Sequence, residues 1–174
     1  PNLNAGTYTV EFLSPSGYVA SLSDQGDDAT DSDSVNGLAG PYTLLDGEEN
    51  LTVDAGFYRP ATLGDFVWFD ENADGHQSAL EPGLANVTVE LLDGTGTVLA
   101  STTTDNDGAY EFTGLTPGSY RVRFTTPTGY LASPSNSGDD TTDSDAVNGT
   151  SQLVTLISGE SNPTIDAGFY QLTS

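Results

Sequence analysis

Residues 70–81 read DENADGHQSALE. Oxygen-bearing side chains recur at set places: Asp70 first, Asn72 third, Asp74 fifth, Ser78 ninth and Glu81 twelfth. Gly75 is sixth, where a chain wrapped around a hard cation must turn sharply. His76 is seventh, where the usual donor is a backbone carbonyl. Six or seven oxygens at this spacing suit calcium, with Asp70 anchoring the loop and Glu81 closing it as a bidentate ligand. A solvated acidic turn would explain the Asp and Gly residues. It would not explain Asn at the third place together with Glu at the twelfth. His76 is the one histidine, and there is no cysteine, so zinc lacks a set of nitrogen and sulfur ligands. His76 is expected to act through its carbonyl.

A second acidic stretch, GDDTTDSDAVNG (138–149), carries Asp139, Asp140, Asp143 and Asp145. Two unit charges about 4 Å apart repel by about 4 kcal/mol at an effective dielectric near 20. Such a run must stay extended in water or hold a cation. The same spacing recurs at Asp27, Asp28, Asp31 and Asp33, while residues between the carboxylates differ, Ala29 against Thr141 and Ser34 against Ala146. A second calcium site is expected here. Asp105 and Asp107, in the turn DNDG (105–108), could add ligands or could serve only the turn, because Asp side chains bond readily to the backbone two residues on.

These loops need a frame, and the pattern around them has period two. GDFVWFD (64–70), NVTVELLD (86–93), TVLASTTTD (97–105), AYEFTGL (109–115), SYRVRF (119–124), LVTLIS (153–158) and PTIDAGFY (163–170) read as about seven strands. Asp107-Gly108 supplies the positive φ of a tight hairpin turn. No window shows a helical apolar stripe. The fold class is therefore all-β, a sandwich with one apolar layer between two sheets.

The chain also repeats itself. GTYTVEFLSPSGYVAS (6–21) matches GSYRVRFTTPTGYLAS (118–133), GDDATDSDSVNG (26–37) matches GDDTTDSDAVNG (138–149), and VDAGFY (53–58) matches IDAGFY (165–170). The offset is the same each time: 118 − 6, 138 − 26 and 165 − 53 all equal 112. A period this long means tandem whole domains, not a solenoid. Residues 1–59 are expected to be the C-terminal half of a preceding repeat, and 60–174 a complete one. The half copy has strand-like runs at 7–13, 42–45 and 51–58. It lacks the counterparts of 64–115, which would leave Tyr8, Val10, Phe12, Val53 and Phe57 facing water unless a neighbouring copy covers them. The short, Pro-containing connection Tyr58-Arg59-Pro60-Ala61-Thr62 is expected to restrict the angle between neighbours.

Composition narrows the function. The 174 residues carry 26 Asp and Glu against three basic residues, all Arg, for a formal charge of −23. Nucleic acid and anionic membrane surfaces are excluded as partners, because nothing here neutralises phosphate. Without cysteine there is no disulfide or thiolate chemistry. No run of the sequence reads as a signal peptide, a membrane span or an anchor, and with no methionine the chain is expected to be a piece of something longer. Self-repulsion at this charge destabilises a compact state, so cations are expected to offset it. The acidic surface and the Asn-x-Thr triplets at Asn50, Asn86 and Asn148 suit an extracellular location.

GDFVWFDENADGHQSALEPGLANVTVELLD (64–93), TTDNDGAYEFTGLTPGSYRVRF (103–124), the Asp-Ser-Asp loop and IDAGFY (165–170) together resemble the B repeats of the serine–aspartate-repeat (Sdr) surface adhesins of Gram-positive bacteria. The resemblance spans the whole complete repeat and, through the offset, the half copy. It implies a collagen-adhesin B-type (Cna-B, prealbumin-like) sandwich that holds several calcium ions and serves as a stalk segment. Many domains of that broader class carry an internal Lys–Asn isopeptide bond. This chain has no lysine, so that cross-link cannot form, and calcium is expected to stand in for it. A ligand that binds only the folded state stabilises it by about 4 kcal/mol at a thousandfold excess over its Kd.

Three functions compete. Catalysis is disfavoured: a glycosidase needs one carboxyl with a raised pKa in a cleft, and a single His with no nucleophile motif does not build a triad. An adhesive module for a specific protein or glycan is the main rival. The preferred expectation is a calcium-stabilised spacer of an extracellular array, partnered by neighbouring copies of the same repeat.

Overall fold

Strand β6 (Thr88–Asp93) reads TVELLD, and its Val89 and Leu91 point into the molecule with almost no exposure. The same alternation runs through β9 (Gly118–Phe124), where Tyr120, Val122 and Phe124 are buried. Successive side chains on a strand face opposite sides, so these residues form one wall of an apolar layer. A computed structural model describes residues 3–135 and 138–172. The chain divides into two compact units, 1–60 and 61–174.

In 61–174, one sheet is built on β5 (Ala61–Phe69). Along one side of β5 run β12 (Ser161–Asn162) and then β13 (Ala167–Tyr170), both parallel to it, with β10 (Leu131–Ala132) outside β13. The antiparallel strand β8 (Ala109–Leu115) also pairs with β5. The second sheet has the order β11 (Val154–Leu156), β9, β6, β7 (Val98–Thr103), all antiparallel. Seven of these strands are longer than two residues, and the two sheets enclose the core. Leu63, Val67, Tyr110, Phe112, Ile165 and Phe169 meet Val89, Leu91, Tyr120, Val122, Phe124 and Leu156 there. This is the all-β sandwich expected from the alternation. Tyr110 packs edge-on against both Phe112 and Phe124, the latter with ring centroids 5.6 Å apart.

One expected strand is interrupted. The run 163–170 was expected to be continuous, but strand geometry begins only at Ala167. Pro163 has no N–H to give a ladder, Asn162 Oδ1 accepts the N–H and hydroxyl of Thr164 in a local turn, and the N–H of Asp166 goes to Asp145 Oδ2. The parallel ladder therefore breaks between Leu63 and Val67 of β5. In that gap the N–H of Phe66 is taken by Asp166 Oδ1 at 3.1 Å.

In 1–60, β1 (Gly6–Glu11) pairs with β3 (Leu38–Leu44), and β2 (Val19–Ala20) pairs with β4 (Phe57–Tyr58), both antiparallel. Registers follow the 112-residue offset: Gly6 faces Leu44 as Gly118 faces Leu156, and Ala20 faces Phe57 as Ala132 faces Phe169. The expected strand at 51–58 shrinks to its last two residues, because Asn50 turns onto Thr52 as Asn162 turns onto Thr164. Burial separates the copies. Tyr8, Val10, Phe12, Val53 and Phe57 are only half-buried, while their counterparts Tyr120, Val122, Phe124, Ile165 and Phe169 are buried. The half copy keeps the pairing of the complete repeat without the strands that would cover its apolar side.

Candidate metal centre

The loop 70–81 leaves β5 and closes on itself. Asp70 is fully buried; its N–H donates to the carbonyl of Phe169, and its Oδ2 accepts the N–H of Gly75 at 2.9 Å. Gly75 has φ +81°, a conformation that a side chain would strain. Asn72 Oδ1 accepts the N–H of Asp74, and Asp74 Oδ1 accepts the N–H of His76. Glu81 reaches back across the loop, its two oxygens accepting the N–H groups of Glu71 and Ser78 at 3.0 and 2.8 Å. The first and twelfth residues thus hold the loop in a closed ring, and their oxygens are turned onto the loop's own backbone.

The two acidic stretches, separate in the sequence, lie side by side. Gln77 N–H donates to Thr142 O at 2.7 Å and Ser144 N–H to Gly75 O at 3.1 Å, making a β-bridge between His76 and Asp143. The His76 ring lies over Gly138, where a Cβ would collide with it. Within the second stretch, Asp143 Oδ2 accepts the N–H of Gly138, and Asp139 accepts the N–H and hydroxyl of Thr141. The Thr141 bonds hold the Asp139 carboxyl below the usual range. Asp140 is exposed. In the half copy, Asp31 Oδ2 accepts the N–H of Gly26 and Asp27 that of Ala29, repeating the loop around Asp27, Asp28, Asp31 and Asp33.

Asp105 Oδ1 accepts the N–H groups of Asp107 and Ala109. That oxygen serves the turn, and both residues are exposed. The turn packs on the far end of the first loop, where the Asp107 carbonyl sits directly against Gly83.

Asp145 and Asp166 form a reciprocal pair. Asp145 N–H donates to Asp166 O at 2.9 Å, and Asp166 N–H donates to Asp145 Oδ2 at 2.8 Å. Burial pushes Asp145 up to about 7 and Asp166 up to about 9, with Asp65 adding to both. Burial also raises Asp65. Asp65 and Asp166 were not among the expected ligands. Both stand inside strand-like motifs, GDFVWFD and IDAGFY, where an acidic residue reads as an outward-facing strand position. The visible signal was that Asp166 recurs as Asp54 across the offset.

Among the described residues, no three carboxylate, histidine or cysteine side chains converge in an arrangement that would hold a metal. The donor chemistry nevertheless fits a hard cation, since every donor of the first loop's expected set is an oxygen, that of His76 being its backbone carbonyl.

The SdrD B-like domain family matches residues 1–57 and 61–169. The chain belongs to that family. It is 44% identical over 172 residues to serine-aspartate repeat-containing protein F of Staphylococcus epidermidis, covering 97% of this chain and 10% of that protein. It is 43% identical over 174 residues to serine-aspartate repeat-containing protein D of Staphylococcus aureus (strain Newman), covering 99% of this chain and 13% of that protein. The chain thus spans about a tenth of the length of these relatives. Among solved structures it overlaps GBS52, the minor pilin of Streptococcus agalactiae, with TM-score 0.47 and 15% identity over 76% of this chain and 59% of that one. It also overlaps the Bacillus anthracis TIE protein, with TM-score 0.42 and 18% identity over 98% of this chain and 26% of that one. An SdrD B-like sandwich therefore carries the two docked acidic loops.

Proposed function

We propose that the chain is a calcium-stiffened spacer repeat of an extracellular surface stalk, set among neighbouring copies of the same repeat. Its role is structural and not catalytic. The observation that carries this is the docking of loop 70–81 onto loop 138–145 through the His76–Asp143 bridge. Two acidic loops pressed together, in a chain with three basic residues, repel unless a cation lies between their oxygens. Calcium would draw Asp70, Asn72, Asp74, Ser78 and Glu81, with the His76 carbonyl, away from the loop's own N–H groups and onto one ion. A tie of that kind resists opening without lysine or cysteine. The half-buried apolar side of 1–60 suits cover by a segment like 64–115 of a neighbouring copy, which hides bare apolar surface and free strand edges.

Thermal unfolding of the whole chain in calcium and in EGTA tests the proposal. The midpoint is expected to be higher in calcium, and Asp70→Asn or Glu81→Gln should remove most of the difference. Coincident midpoints in the wild-type chain would overturn it.

A further inference from the structure

Strands β7 and β11 are the outermost strands of the second sheet, and among the described residues neither pairs on its outer side. Residues 94–104, which contain β7, and 146–159, which contain β11, hold no Asp, Glu, Arg or Lys. A chain with 26 acidic residues keeps all of them off these two runs. Apolar side chains stand out there instead: Val98 and Leu99 on one edge, and Val147, Leu153 and Ile157 on the other, are between 43% and 69% exposed. The edges of the first sheet are guarded. Its β10 and β12 are two residues long, and β8 carries the exposed Glu111. Shortness and charge discourage an added strand, whereas a run without charge or proline admits one.

The two open edges differ in what flanks them. Asp93 lies before β7, its carboxylate fixed by the N–H groups of Thr95 and Thr97. Asp105 lies after β7 and is exposed. Beside β11 lie both arginines of 61–174: Arg121 donates to Ser151 O at 3.1 Å, and Arg123 forms a β-bridge with Thr150. Carboxylates thus flank one edge and guanidinium groups the other. Strand direction agrees with the charges. β11, β9, β6 and β7 alternate in direction, so a second copy shifted sideways sets its β11 antiparallel to β7 and continues the ladder.

The half copy is closed to this contact. Its β3 holds the counterpart of β11, but Pro41 stands in the place of Leu153 and has no N–H to give an added strand. Thr9 and Glu11 stand in the places of Arg121 and Arg123.

We propose that copies of this chain associate side by side, β7 of one pairing antiparallel with β11 of the next. The contact is heterologous, so it passes from copy to copy and does not close at two. It rests on the spacer reading only in taking a second copy as the partner, and it needs no calcium. Copies that each carry −23 repel over the distance salt leaves unscreened, about 30 Å at 0.01 M and about 3 Å at 1 M. High salt therefore lets the uncharged edges meet.

Sedimentation velocity of the whole chain, over a concentration series in sodium chloride at about 1 M, tests the proposal. The wild type is expected to form species that grow beyond the dimer with concentration. Thr103→Glu, at an exposed position of β7, and Leu153→Glu, beside β11, should each stay monomeric alone. An equimolar mixture of the two should form a 1:1 dimer, because each variant keeps the edge that the other lacks. A wild type that stays monomeric, a variant that associates alone as the wild type does, or a mixture that stays monomeric would overturn the proposal. Association through the half-buried side of 1–60 would survive both substitutions and is told apart in that way. Melting of the same variants in calcium and in EGTA is expected to match the wild type. Coincident midpoints in the two media would sink the spacer reading and leave the edge contact standing.

Discussion

The Asp166 carboxylate stands in for a strand. Its Oδ1 accepts the N–H of Phe66 at 3.1 Å, filling the place in the parallel ladder that the backbone of 163–166 vacates. A side chain recruited in this way is buried as a consequence, and its charge must be met by a proton or a cation.

That requirement has a sign in pH. Burial raises Asp145 to about 7 and Asp166 to about 9 from an ordinary 3.8. A carboxyl with a raised folded-state pKa contributes stability that is fully present below the unfolded value. That stability is lost as pH rises through the folded value. In EGTA the melting midpoint of the chain is expected to fall between mild acid and alkaline pH. Asp139, held low by Thr141, works in the opposite sense but only in acid. A midpoint in EGTA that rises with pH over the alkaline range would contradict this account.

The two copies offer a matched pair of core substitutions. Leu156 is 1% exposed, and Leu156→Ala is expected to cost about 2–5 kcal/mol, the range for a large-to-small change in a packed core. Leu44, its counterpart at the same register against Gly6, is half-buried, and Leu44→Ala should cost well under half as much. Hydrogen exchange reads the two separately, through amides of β9 and β11 for the first and of β1 and β3 for the second. Equal losses of protection would show that the half copy is as well covered as the complete repeat.

Gly83 ties the end of the first loop to the DNDG turn. A Cβ there would run into the Asp107 carbonyl and lie 2.8 Å from the Gly108 nitrogen. Both are backbone atoms, so no rotamer change relieves the clash. Gly83→Ala is expected to destabilise 61–174 by about 1–3 kcal/mol, the usual cost of overpacking. It should also weaken the calcium-dependent shift in melting, since Glu81 is two residues away. Urea unfolding in calcium and in EGTA measures both effects.

Much of the molecule was open to reading without coordinates, because it depends on local rules. Val89 and Leu91 alternate with polar neighbours and so mark β6 from the sequence alone. Asp107-Gly108 announces a hairpin. Asp70 through Glu81 can be numbered against a loop whose spacing follows from the size of an ion. The offset of 112 residues needs no structure at all. What could not be read depends on which distant segments meet. Nothing in PTIDAGFY says that its first half leaves the ladder, because that depends on Pro163 lying opposite β5 and on Asp145 lying near enough to take the Asp166 N–H at 2.8 Å. Nothing in GDFVWFD separates Asp65 from an ordinary outward-facing strand residue until β13 and the loop at 145 close around it. The two acidic motifs read as two independent sites because the second begins 57 positions after the first ends, 138 − 81. They adjoin because the loop leaving β5 pairs with the second stretch through the His76–Asp143 bridge, a contact between segments distant in the chain. Periodicity and ion size act within a dozen residues and are written in the chain. Burial of a charge is a property of the packed whole, and only the tertiary structure decides it.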